Sequence, residues 1–111
     1  MKLSDIKELL SANVLCCEER LGEEVSSACG ADLMSDVLAF VKDQSILLTG
    51  LNNPQVVRTA EMMDMKCVVF VRGKAPDPGV VTLAEQRGLT VMATACRMYE
   101  ACGRLYSAGL L

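Results

Sequence analysis

Two apolar rhythms alternate along this chain: positions recurring every three to four residues, and short unbroken runs. Leu3, Ile6, Leu9 and Leu10 recur at helical spacing around Ser4, a candidate N-cap, and Asp5 stands where the helix dipole favours an acid. That predicts a first helix over residues 4–11. Asn13 to Cys17 is short and apolar enough for a strand, Glu18 to Glu24 reads as an exposed connection, and Val25 to Cys29 as another strand. A helix opening at Ala31 or Asp32 and closing near Lys42 should bury Leu33, Val37, Leu38 and Val41.

From residue 45 onward the pattern sharpens. Ser45 to Thr49 is a continuous apolar run, as expected of a strand covered on both faces, and Gly50 ends it. Asn53-Pro54 then reads as an N-cap with proline at the first helical position, where its missing N–H costs nothing. Val56, Val57, Ala60 and Met63 line one side of the helix that follows. The same phrase repeats: Lys66 to Val71 as strand, Arg72-Gly73 as turn, Asp77-Pro78 as cap, and Val80, Val81 and Ala84 as helix face. Gly88 stops that helix, Leu89 to Ala93 supplies another strand, and Met98, Ala101, Cys102, Leu105 and Tyr106 mark a last helix.

A βαβαβα series of this kind predicts an α/β fold in three layers, a mostly parallel sheet with helices on both faces and crossovers of one hand. At 111 residues and 12.0 kDa the chain fits one domain, residues 1–111. The apolar fraction of 51% is high and carries only two Phe, two Tyr and no Trp, so some apolar surface should be left for a partner.

Charge excludes some functions. A net charge of -3 without a Lys/Arg cluster argues against counterion-release binding to nucleic acid, and the few aromatics argue against stacking on single strands. No apolar run reaches the roughly 18 residues of a membrane helix, and the first residues carry acids rather than a signal pattern. A soluble, cytoplasmic protein is expected. The six cysteines lie outside any C-x-x-C and there is no histidine, so most should be reduced core residues, with no metal site or cofactor implied. On a strand, Cys16 and Cys17 would face opposite sides, which weakens a redox reading of that pair.

In an open parallel sheet, ligands bind beyond the carboxyl ends of the strands, where helix N-termini point free N–H groups. Three loops should share that rim: Thr49 to Asn53, Arg72 to Asp77, and Thr94 to Arg97. The candidate ligand contacts are Thr49, Gly50, Asn52, Asn53, Arg72, Gly73, Lys74, Thr94 and Arg97. Arg72 and Lys74 offer a guanidinium fork and a point charge to a phosphate or carboxylate. Each of these residues also has a plain structural role, as turn former, solvated cation or, for Thr94, helix N-cap. Neither G-x-G-x-x-G nor G-x-x-x-x-G-K-[ST] occurs, and no nucleophile has an identifiable base, so no catalytic residue is assigned. Softer alternatives are a methionine patch at Met62, Met63 and Met65 and a cation site on Glu18, Glu19, Glu23 and Glu24, against which core packing and a solvated acidic run are the simpler readings.

With these strand-turn-helix units in view, the stretch from "SILLTGLNNPQVVRTAEMMDMKCVVFVRGKAPDPGVV" to "MATACRMYEACGRL" resembles the DRTGG domain family. The family's Asp-Arg falls on Leu51-Asn52 and its Thr-Gly-Gly on Val71-Arg72-Gly73, so Gly73, with Pro76 beyond it, is what remains of the namesake pattern. The resemblance implies an α/β domain similar to the N-terminal domain of HPr kinase, a dimerising regulatory module found beside CBS domains in pyrophosphatases and attached to phosphotransacetylases. Stand-alone members look like companions of hydrogenase systems. The expected function is therefore a non-catalytic, homodimeric regulatory domain whose rim takes a small anion such as an adenine nucleotide and whose surface engages a larger enzyme. Small residues at Ala101, Gly103, Ala108 and Gly109 suit close approach by a second copy. The rival readings are a ligand-free adaptor for a redox or hydrogenase-type enzyme, and a small phosphoryl- or acyl-transfer enzyme built around Arg72, Lys74 and Arg97.

Overall fold

The computed structural model describes residues 1–40, 45–73 and 75–111. Five strands form one sheet: β1 (Asn13–Cys16), β2 (Ala28–Gly30), β3 (Ile46–Thr49), β4 (Cys67–Phe70) and β5 (Thr90–Ala93), in the order β1-β5-β4-β3-β2. β2 to β5 run parallel, and β1 pairs antiparallel with β5. The helices are α1 (Leu3–Leu10), α2 (Met34–Phe40), α3 (Pro54–Met62), α4 (Pro78–Gln86) and α5 (Met98–Ser107).

The unbroken apolar runs of β3 and β4 are explained by cover on both faces. Ile46, Leu48, Cys67, Val69 and Met92 point into one core with Leu3, Ile6 and Leu10 of α1 and Ala101 and Leu105 of α5. Leu47, Val68, Phe70 and Val91 point into the other, with Met34 and Val37 of α2, Val56, Val57 and Ala60 of α3, and Val80 and Ala84 of α4. Alternate residues of each strand thus belong to different cores, as the pleat requires. The three crossovers from β2 to β5 advance across the sheet in one direction and set their helices on one face, which requires a single hand. The three-layer α/β architecture is as expected from the sequence.

Local expectations fared unevenly. The first helix starts after Lys2 rather than Ser4, because Asp5 accepts the Lys2 backbone N–H at 2.8 Å and closes the turn one residue pair earlier. The second strand is only Ala28–Gly30; Val25 is buried but lies before it. In α2 Val37 is buried as expected and Met34 joins it, while Leu38 (40% exposed) and Leu33 (59%), which precedes the helix, face outward, so the buried stripe is shifted from the one inferred. Val41 and Lys42, also placed on that helix, lie outside the described residues.

Cys16 and Cys17 do not face opposite sides. A register shift between Val14 and Cys16 breaks the alternation, Cys17 turns into the left-handed region (φ 57), and both thiols enter the same core. Burial, followed by the neighbouring Cys17, pushes the Cys16 thiol up to about 12, a setting that suppresses thiolate chemistry. Among the methionines, Met65 is buried, Met63 packs partly against the core and Met62 is exposed. In the acidic stretch, Glu23 pairs with Arg20 at 3.5 Å. No described helix is long and apolar enough to cross a membrane.

Candidate functional site

Because β2 to β5 are parallel and paired in register from Gly30↔Leu48 to Thr49↔Phe70 and Phe70↔Ala93, their carboxyl ends open on one edge. The loops after β3, β4 and β5 share the rim expected of them, and the loop after β2 joins it. Strand order advances without reversal from β2 to β5, so these described strands contain no switch point of the kind that opens a crevice.

Asp32 lies at the centre of this rim. Its Oδ1 accepts the Gly50 backbone N–H at 2.7 Å and the Thr49 hydroxyl at 3.2 Å, and its Oδ2 accepts from the Arg72 guanidinium at 2.8 Å. The geometry follows from strand order. Asp32 comes from the end of β2 and Arg72 from the end of β4, and β3 runs between them, so the ion pair crosses directly over Gly50. A Cβ at Gly50 would collide with the Arg72 guanidinium. The glycine is there because two charged groups meet above its backbone, a reason more specific than ending a strand. The hydrogen bonds from Arg72 and then from the Gly50 N–H hold the Asp32 carboxyl below the usual carboxylate range.

Arg72 is held from behind. Its backbone takes the left-handed conformation (φ 68), followed by Gly73 (φ 72). The Arg72 N–H donates to the Cys96 carbonyl at 2.7 Å, and the Gly73 N–H donates to Thr94 O at 2.9 Å. A left-handed arginine costs of order 1 kcal/mol, and strain of this kind gathers at functional turns. A second bridge spans the neighbouring loops: Asn52 Nδ2 donates to Asp77 Oδ1 at 3.4 Å, and the Asp77 N–H donates to Asn52 Oδ1 at 3.0 Å.

The two helix starts that look alike in sequence differ here. Asn53 caps α3, its Oδ1 accepting the Gln55 N–H at 2.9 Å, whereas Asp77 stands at the N-cap of α4 without a side-chain capping bond and turns to Asn52. Thr94 faces inward, 3% exposed, donating to the Leu10 carbonyl at 2.7 Å and accepting the Cys96 N–H at 3.1 Å. It pins the end of α1 to the rim and is not the cap of α5, which is Arg97. Arg97 is exposed at that position, and Lys74 lies outside the described residues.

The structure therefore brings Thr49, Gly50 and Arg72 together around Asp32, joins Asn52 to Asp77, and orders Gly73 beneath. Asp32 was absent from the sequence-derived site. Its signal was positional: with Gly30 paired to Leu48, two further steps place Asp32 beside Gly50, but only once β2 is known to be parallel to β3.

A second surface is apolar. Beside the short edge strand β2, a cavity of about 270 Å³ is lined by Ala28, Gly30, Leu105, Tyr106 and Leu111, among others. The outer face of α5 continues it, with Tyr99 (93% exposed), Gly103 and Tyr106. Ala101 packs on the sheet, and the helix ends at Ser107, so Ala108 and Gly109 form no part of a small helical side.

Among solved structures, the fold is similar to that of the CBS and DRTGG domains of the regulatory region of Clostridium perfringens pyrophosphatase, crystallised with its activator diadenosine tetraphosphate. The TM-score is 0.74 at 19% identity, over 94% of this chain and 45% of that one, so the chain spans less than half the length of that region. No curated protein matches the sequence significantly. The DRTGG domain profile matches residues 5–108, nearly the whole length, and the chain belongs to the DRTGG domain family.

Proposed function

We propose that this domain is a non-catalytic regulatory module that binds a small anionic ligand of the adenine nucleotide class at its strand-end rim and pairs with a second copy through the outer face of α5. One observation carries the ligand half. A backbone N–H, a hydroxyl and a guanidinium converge on a single carboxylate at the carboxyl edge of a parallel sheet, and these are the donors that hold phosphate or carboxylate oxygens. The strained backbone of Arg72 and its anchoring to Cys96 fit a group held ready for a partner. Membership of the DRTGG family, and the likeness to a region that regulates an enzyme, support a regulatory role over a catalytic one.

Titration calorimetry with ATP, ADP and AMP tests the ligand half. Saturable binding by at least one nucleotide, lost in Arg72→Ala, is expected; silence at millimolar concentrations removes it.

The pairing half rests on the apolar exposure around the outer face of α5. Tyr99, Tyr106 and Leu111 present large apolar side chains around a groove beside an edge strand of three residues, a combination that invites cover. Sedimentation equilibrium should give a dimer. The adaptor reading draws on a different surface, the outward Leu38 of α2 and Leu33 just before it, and predicts a monomer that docks a larger protein without any ligand.

A further inference from the structure

We propose that the Asp32 carboxylate is a built-in stand-in for the ligand's anionic group, so that a phosphate or carboxylate occupies the rim only by exchanging with Asp32 and releasing the segment that leads into α2. The inference rests on the rim reading above and adds its regulation. All three donors that an oxyanion would use are already engaged by this one side chain: the Gly50 N–H, the Thr49 hydroxyl and the Arg72 guanidinium. A ligand entering beside an unmoved Asp32 would bring negative charge against negative charge and find the Gly50 N–H, the Thr49 hydroxyl and one arm of the guanidinium taken.

The pair is open to exchange. Arg72 and Asp32 side chains are 45% and 47% exposed, and ion pairs at such exposure contribute little, about 0–1 kcal/mol. A phosphate carries more charge than a carboxylate and has more acceptor oxygens for a guanidinium fork, so it competes well for Arg72. The two partners also differ in freedom. The Arg72 backbone is anchored by its N–H bond to the Cys96 carbonyl, so the guanidinium stays rooted at the rim while Asp32 leaves.

Asp32 sits in the short link between Gly30, the last residue of β2, and Met34, the first of α2. Its three hydrogen bonds tie that link to the ends of β3 and β4. Exchange would remove these bonds, leaving the link held by the Ala31 N–H to the Leu48 carbonyl at 3.0 Å and α2, with Leu38 and the preceding Leu33 outward, held to the body by Met34 and Val37. An event at the rim thereby reaches an exposed apolar surface through one side chain. The depressed pKa of the Asp32 carboxyl agrees with this, because the stand-in stays charged at neutral pH.

The test compares Asp32→Asn with the wild type, using ADP and inorganic pyrophosphate as probes. Removing the resident charge should tighten binding of both by up to about fivefold, because an uncharged amide competes poorly for Arg72. In the wild type saturated with ADP, the ¹³C-detected titration of the Asp32 carboxyl should move up, towards the ordinary carboxylate range, as Arg72 changes partner. Equal or weaker binding by Asp32→Asn, in a wild type whose Gly50 amide resonance responds to ADP, overturns the exchange and leaves the rim reading standing. Binding by neither protein overturns both. If Asp32→Asn does not fold, the wild-type carboxyl titration decides, and an unchanged midpoint at saturation overturns the exchange.

Discussion

The Arg72 guanidinium meets the Asp32 carboxylate at 2.8 Å from opposite sides of β3, and Gly50 is the residue they cross. The colliding atoms belong to the flexible end of Arg72, and the Gly50 backbone is outside the left-handed region, so Gly50→Ala should fold. We expect a stability loss below about 1 kcal/mol, in keeping with an exposed ion pair. The added methyl group should displace the guanidinium from Asp32. An NMR titration of the Asp32 carboxyl then reads a midpoint higher than in the wild type; an unchanged midpoint would show that the crossing is not needed to hold the pair.

The same pair predicts a direction for pH dependence. A carboxyl whose folded-state pKa is depressed adds stability above its unfolded-state value, near pH 4, and loses it as pH falls through the folded-state value. Arg72 is the charged group facing it, and Thr49 and Gly50 supply the neutral donors. Since Asp32 is nearly half exposed, solvent screening should keep the effect under about 1 kcal/mol. Urea unfolding of the wild type and Asp32→Asn should therefore differ more at pH 7 than at pH 3.

Thr59 offers a stability test far from the rim. Its side chain on α3 is fully buried, and its hydroxyl has no hydrogen-bond partner among the described residues. Thr59→Val keeps the shape and removes the unsatisfied group, so it should stabilise by about 1 kcal/mol. A higher denaturation midpoint with unchanged slope is the expected result; a loss of stability would mean that the hydroxyl is satisfied in solution.

The proposed pairing surface makes its own prediction. Tyr106→Glu places a charge on the exposed outer face of α5 without touching Ala101 or Leu105, which hold the helix to the sheet. It should convert a dimer to a monomer in sedimentation equilibrium while leaving the unfolding midpoint of the monomer close to unchanged. A dimer that survives the substitution assigns assembly to another face.

The limits of the sequence follow from what local patterns encode. Runs such as Ile46 to Leu48 and Cys67 to Val71 announce buried parallel strands because cover on both faces leaves no polar positions within them, and proline and asparagine mark the start of α3 by their backbone chemistry. β2 is three residues at an edge, too short to carry a periodic signal, and without it Asp32 has no visible place on the rim. Thr94 does not cap α5 because its hydroxyl donates to the carbonyl of Leu10, which lies far away in the chain and which no local pattern reveals. The outward turn of Leu33 and Leu38 was likewise set by tertiary packing, since Met34 and Val37 fit the core and a helix can bury only one stripe.

The most direct test is an amide NMR titration of the wild-type domain with ADP at neutral pH. Saturable shifts centred on Gly50, Leu51, Arg72 and Gly73, absent in Arg72→Ala, are the expected result. Resonances that stay still to millimolar ADP, or that move only around Tyr99, Tyr106 and Leu111, would contradict an anion site at the carboxyl ends of the strands.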